Sequence, residues 1–311
     1  MRTAFIDNLT ALATADARIF LVTADLGYSV LERFRDAMPS QYVNVGVAEQ
    51  NMTGVAAGLA HMGMTVFTYS IANFPTLRCF EQIRNDVCYH NLSVRIVAVG
   101  GGLMYSTQGY THHGVEDIGV MRTLPGMTVI APGDPIEAAA ATRALCSQAG
   151  PAYLRLGKAG EPIVHEAPID FVIGRAIRVR EGHDLTLIST GGTLAYTVET
   201  ADLLRQREGL HCRVLSMHTV KPLDREAVIR AANETGGIVT VEDHNVGSGL
   251  GSAIADVLAI ERLGSIPFQK FGLPDLLVNV TGSPSFLRHL SAGNFEDVVL
   301  GLARESGRAG I

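Results

Sequence analysis

The chain has 311 residues, 47% of them hydrophobic and 18% charged, with a formal net charge of −6 at pH 7. That length can bury two cores, and the acidic balance, with no basic cluster, gives no electrostatic reason to expect nucleic acid. No apolar run reaches the roughly 18 residues of a membrane span. The N-terminal MRTAFIDNLTALAT carries Asp7 amid an amphipathic pattern, unlike a signal peptide. Cys79, Cys88, Cys146 and Cys212 form no CxxC pair and suit free thiols in a reducing cytoplasm.

Residues 3–15 read as a helix, Ile19–Ala24 as a strand and Leu31–Met38 as a short helix. A strand ending at Val45 leads into a small-residue helix from Glu49 to Met62, which Gly63 closes. Strands are expected at Thr65–Tyr69 and Val94–Val99, with a helix over 75–90 between them. Val129–Ala131 reads as a strand, Pro135–Gln148 as an Ala-rich helix and Ala152–Arg155 as a strand. Between Gly157 and Gly174 the pattern lapses into Lys, Gly, Glu, Pro and His. Units of 1–158 and 176–311 are therefore expected, joined by a linker at 159–175. The second unit offers strands at Leu185–Ser189, Cys212–Ser216 and Gly237–Val241, with helices over 193–207 and 224–235, the latter opened by Asp224. This alternation predicts an α/β fold of two doubly wound, mostly parallel sheets.

The stretch Tyr42-Val-Asn-Val-Gly-Val-Ala-Glu49 sets one carboxylate where a strand turns into a helix. In open α/β sheets, ligands bind at the carboxyl ends of the strands. The helix dipole alone also favours a first-turn acid, without any ligand. Val246-Gly247-Ser-Gly249-Leu-Gly251 follows a strand and precedes a helix, imitating a dinucleotide fingerprint. Its GxGxG spacing and the lack of a suitably placed acid favour a tight strand–helix turn instead. His112, His113, Glu116 and Asp117 crowd together, but adjacent histidines rarely chelate one ion, and no metal site is expected on this chain.

Several longer words carry more specific information. VGVAEQN with the following GVAAGLA, FEQIRND (80–86), THHGVED (111–117), RTLPGMTVIAPGDPIEA (122–138) and AYLRLGK (152–158) occur in this order. Together they resemble the pyrimidine-binding domain of the transketolase family. STGGT, VKPLD and VEDHNVGSGLGSAIAD are similar to the C-terminal domain shared by transketolases and 2-oxoacid dehydrogenase beta subunits. The resemblance implies thiamine diphosphate as cofactor, with Glu49 as the catalytic proton partner of N1′ on its aminopyrimidine. Phe74 would offer that ring an aromatic surface, or else serve as a core residue. Asp25 and Leu26, in the word TADL, are further cofactor-binding candidates.

For substrate, Arg2, Ser29 and Arg155 fall at positions that bind sugar phosphate in the family, and guanidinium groups suit phosphate through their bidentate geometry. His112 matches the family histidine that contacts substrate oxygens, which makes it the second catalytic candidate. His113 is expected to pack or hydrogen-bond locally. Gln108 stands where the family has an Asp that reads the acceptor's C2 hydroxyl, so the usual aldose specificity is in doubt. Gly100 replaces a second phosphate-contacting His, which implies a looser pocket or a differently shaped acceptor.

The GDG motif that, with a later Asn, holds magnesium and diphosphate in the family does not occur here. The resemblance thus implies the C-terminal half of a split transketolase, moving a two-carbon ketol unit from a ketose or ketose phosphate to an aldehyde. It would act only with an N-terminal subunit carrying the diphosphate domain and the Mg2+ ligands, as an α2β2 assembly. A decarboxylating relative is the nearer alternative, either 1-deoxyxylulose-5-phosphate-synthase-like or a 2-oxoacid dehydrogenase beta subunit. A non-catalytic scaffold or regulatory subunit of the same fold is the other.

Overall fold

The computed structural model describes residues 1–307, so positions 308–311 of the expected second unit lie outside the described residues. Helix α1 (Arg2–Ala15) buries Phe5, Ile6, Leu9 and Ala13 on one face, the spacing of an amphipathic helix. It leads into β1 (Ile19–Thr23), α2 (Glu32–Ala37), β2 (Tyr42–Asn44), α3 (Glu49–His61) and β3 (Thr65–Ile71). After α4 (Phe80–Gln82) come β4 (Val94–Val99), α5 (Asp117–Thr123), β5 (Thr128–Ile130), α6 (Pro135–Ser147) and β6 (Ala152–Leu156). All six side chains of β4 are buried, as a central parallel strand covered on both faces requires.

The expected helix over 75–90 is instead a three-ten turn (Leu77–Cys79), α4 and a π-helical segment (Ile83–Cys88). Its buried residues Cys79, Ile83 and Val87 recur every four positions. That exceeds the 3.6 residues of an α-turn, and the wider i→i+5 turns take up the excess, keeping all three on the core side.

The second half contributes β7 (Ile177–Arg180), β8 (Leu185–Ser189), α7 (Leu194–Glu208), β9 (Cys212–Ser216), β10 (Thr219–Lys221), α8 (Arg225–Glu234) and β11 (Ile238–Asn245). It ends with α9 (Leu250–Ile260), β12 (Phe268–Leu273), α10 (Pro284–Ala292) and α11 (Phe295–Glu305). Asp224 caps α8 by accepting from Ala227 N at 2.9 Å.

The sheets run β10-β5-β6-β4-β3-β1-β2 and β12-β11-β8-β9-β7. Among the strands of the described residues, only β10 and β7 are antiparallel to their neighbours. In the first sheet the chain leaves β1 towards β2 on one side and then returns to β3 on the other. The crevice at this reversal, beyond the carboxyl ends of β1 and β3, is where such sheets take ligands.

β10 joins the first sheet from the far side of the expected linker. One apolar cluster likewise runs from Val22 and Ala56 through Met121 and Val129 to Val220, Leu250 and Ile254. Residues 157–174 form no helix or strand, yet they are pinned. Asp134 Oδ2 accepts from Val164 N and His165 N at 2.9 and 3.1 Å, and His165 Nε2 lies 2.7 Å from Glu137 Oε1.

The glycine-rich turn before α9 is filled by the protein's own acid. Glu242 accepts from Leu250 N and Gly251 N at 2.7 and 2.8 Å. A Cβ on Gly249 would stand 1.8 Å from Glu242 Oε2, so glycine is required there by a carboxylate inside the fold rather than by a nucleotide.

Candidate active site at the sheet reversal

Glu49 opens α3 with only 3% of its surface exposed. Oε2 accepts from Arg78 Nη1 at 2.8 Å, while Oε1 has only a 3.5 Å contact from Ser70 Oγ at the end of β3. Arg78 is 48% exposed, and its guanidinium carbon lies 4.5 Å from the centroid of the Phe74 ring. Phe74 meets the His112 ring edge-on, with centroids 5.4 Å apart. Asn73 Nδ2 donates to Thr111 O at 2.5 Å, tying the segment after β3 to the THHG turn. Glu49, Phe74 and His112, far apart in sequence, thus form one chain of contacts linked by Arg78. Sequence reasoning missed Arg78. The available signal was physical: a buried carboxylate needs a donor or cation, and Arg78 is the first basic residue after Phe74.

A second group adjoins the first through Tyr105, whose ring centroid is 6.5 Å from that of His112. The Arg2 charge acts on both Tyr69 and Tyr105, whose phenols burial pushes above their usual range. Arg2 Nε and Tyr69 Oη are buried without a hydrogen-bond partner among the described residues. Lys158 Nζ stands 4.9 Å from the Tyr105 ring centroid. The looser pocket expected at Gly100 is not found, because a Cβ there would sit 2.0 Å from the Tyr105 ring. A tyrosine five residues downstream fills the space, and Gly100 also adopts φ +72, a conformation glycine takes without strain.

The loop after β1 forms the rim. Asp25 and Ser29 both have positive φ, +55 and +62, a region that non-glycine residues rarely occupy. Asp25 Oδ1 accepts from Asn44 Nδ2 at 3.0 Å, and Ser29 N donates to Glu32 Oε1 at 2.9 Å. Leu26 is partly buried beside them and its carbonyl accepts from Thr23 Oγ1 at 2.9 Å.

Gln108 is exposed at the end of a three-ten turn, and His112 is half-buried with Nδ1 3.0 Å from Thr111 Oγ1. His113 is buried against Tyr110, which pushes its ring below the usual histidine range, and neither ring nitrogen has a partner among the described residues. Arg155 lies behind this loop, buried. Nε donates to Asp117 Oδ2 at 2.8 Å, and Nη2 donates to Gly114 O and Asp243 O at 2.6 and 2.8 Å. Its side chain also lines a cavity shared with Gly101, Met104, Glu161 and Gly191. Among the described residues no group of three or more His, Cys, Asp or Glu side chains is placed to share a metal ion.

Comparison with known proteins fits this geometry. Residues 1–160 match the family described as transketolase, pyrimidine binding domain, and residues 174–291 match transketolase, C-terminal domain. The B-type subunit of the apulose-4-phosphate transketolase of Phocaeicola vulgatus is 39% identical over 276 residues, covering 88% of this chain and 87% of that protein. The 6-deoxy-6-sulfo-D-fructose transketolase subunit SqwH of a Clostridium species is also 39% identical over 276 residues, covering 88% and 85%. A solved structure described as a split gene transketolase, inactive beta4 tetramer, superposes with a TM-score of 0.89 at 36% identity, covering 99% of this chain and 98% of that one. The chain belongs to the transketolase family and shares the domain pair of its B-type subunits.

Proposed function

We propose that this chain is the second subunit of a split, thiamine-diphosphate-dependent transketolase, moving a two-carbon ketol unit from a ketose to an aldehyde. The observation that carries this reading is Glu49: a buried carboxylate at the strand ends, with Oε1 left almost free while Oε2 holds Arg78, whose guanidinium lies against the Phe74 ring. That donor set fits an aminopyrimidine, which needs one carboxylate oxygen for a ring N–H and an apolar face to lie against. Glu49 would hold and share the proton at N1′, and Phe74, Asp25 and Leu26 would line the ring. Bound there, thiamine diphosphate supplies the nucleophilic carbon that carries the ketol unit between carbonyl compounds.

His112, next to Phe74, would orient substrate oxygens and hold a proton at the reacting hydroxyl. Arg2, whose charge acts on the buried Tyr69 and Tyr105 phenols, would grip an anionic tail with Ser29, and Arg155 would face that tail from the cavity it lines. Exposed Gln108 would meet the acceptor with a neutral amide. The diphosphate and Mg2+ would be held by an N-terminal partner subunit in an α2β2 enzyme. In keeping with that need, the similar solved chain is described as an inactive tetramer of β chains. Free thiols at Cys79, Cys88, Cys146 and Cys212 suit the cytoplasm. No helix among the described residues is long and apolar enough to cross a membrane.

The test is reconstitution with the partner, followed by a ketose screen and the near-ultraviolet circular-dichroism band of bound cofactor. Glu49→Gln is expected to lower turnover by about 10²–10⁴-fold. Equal turnover with Gln, or ketol transfer by this chain alone, would overturn the reading. Release of carbon dioxide from pyruvate would favour the decarboxylating relatives, and a complex without the band a scaffold.

A further inference from the structure

The loop that carries Gln108 and His112 rests on the other half of the molecule. Its base is a two-way backbone pairing of Gly102 and Gly114, at 2.7 and 3.1 Å. From below, Arg155 grips that base at Gly114 O and, with the same nitrogen, the backbone carbonyl of Asp243 at the end of β11. The Asp243 carboxylate in turn takes both arms of Arg288 on α10, at 2.7 and 2.6 Å, with the two side chains only 8% and 15% exposed. A Cβ on Gly102 would stand 2.6 Å from Asp243 Cβ, so the loop base sits directly on this residue.

Three further contacts run the same way. Asn245 N donates to Val115 O at 2.9 Å, and Ser106 Oγ donates to Gly282 O at 2.7 Å. Leu103 and Val115 of the loop pack with Leu273, Val278 and Leu287 in a small separate core. Nothing in this set touches the Glu49 carboxylate, so the brace acts on the substrate side alone.

We propose that Asp243 and Arg288 are positioning residues for ketol transfer: their ion pair fixes the base of the 101–116 loop and thereby the place of His112. This rests on the functional reading above, in which His112 orients substrate. A two-armed Arg–carboxylate pair fixes direction as well as distance. Displacing a group at a reacting centre by about 1 Å can cost up to about 10²-fold in rate.

The experiment has two arms. On this chain alone, Arg288→Met is expected to speed amide hydrogen exchange over 101–116 by about tenfold, with β4 and β6 unchanged. In the two-subunit enzyme the same variant is expected to keep the cofactor band and lose about tenfold in kcat/KM for the acceptor, chiefly through KM. Arg288→Lys, which keeps the charge but not the fork, should fall between the two. Unchanged loop exchange overturns the proposal, and so does a loosened loop with unaltered kinetics. Faster exchange throughout β4 and β6 would make the pair a general support of the fold, which also overturns it. A wild-type pair that moves no ketol unit while Arg288→Met still loosens the loop has a different signature. It sinks the functional reading and the kinetic claim, and leaves the brace itself decided by exchange.

Discussion

At Glu49 the energetics turn on what stands beside each oxygen. A carboxylate this deeply buried is costly without compensation, and Arg78 supplies it from a half-exposed position where solvent screens the pair. Arg78→Met is therefore expected to destabilise the isolated chain by on the order of 1 kcal/mol, read as a lower urea midpoint, with Arg78→Lys recovering most of it. An unchanged midpoint would mean that Ser70 and water suffice. Glu49, Phe74 and His112 were legible because each sits in a distinctive word. Arg78 and Tyr105 were not, because their roles depend on where loops return. Nothing in the string VGGGL announces that a ring from position 105 will lie over Gly100.

At the scale of elements, the turn between β11 and α9 has a buried pair of titratable groups with opposed effects. Burial pushes Glu242 up to about 7 against two backbone N–H donors that favour its charge. Burial pushes His244 down to about 4. The hydrogen bonds agree with a neutral imidazole: Nδ1 faces Asn245 O, which can only accept, and Nε2 accepts from Gly119 N.

The signs are opposite. Glu242 is protonated more readily folded than unfolded, so its contribution is full below its usual 4.5 and is lost as pH rises through about 7. His244 contributes fully above its usual 6.5, and that is lost as pH falls through about 4. Between roughly pH 4.5 and 6.5 the two slopes cancel. Glu242→Gln leaves the histidine slope alone, so unfolding free energy should climb with pH by up to about 1.4 kcal/mol per unit in that window. Denaturant titrations across this range measure it, and a variant as flat as the wild type would refute the pairing. The sequence reading found β11 as a strand at Gly237–Val241 and a helix after the glycine-rich turn, but not the acid that links them. It also read 75–90 as one helix, since a pattern of apolar spacing near four does not separate an α-helix from one widened by π turns.

Across the whole molecule, the two halves complete each other. β10 lies against β5 through Thr219 and Ile130, and Lys221 Nζ reaches Arg122 O at 2.9 Å. A fragment ending at residue 174 would expose the edge of β5 and the faces of Met121 and Val129 that Val220 and Leu250 cover. It is expected to aggregate or to melt without cooperativity in size-exclusion and circular-dichroism measurements. A monomeric fragment melting as sharply as the full chain would show the halves to be independent.

The sequence by itself determined the alternation of strands and helices, the parallel character of both sheets, the family, and the acid at the head of α3. All of these follow from short-range periodicity, capping and local words, which act over a few neighbouring residues. Only the tertiary structure decided that Arg78 shields Glu49, that Tyr105 fills the space at Gly100, that Glu242 occupies the glycine turn, and that the second half carries the 101–116 loop. Those outcomes depend on contacts between residues distant in the chain, whose geometry is fixed only when the sheets close and their cores merge.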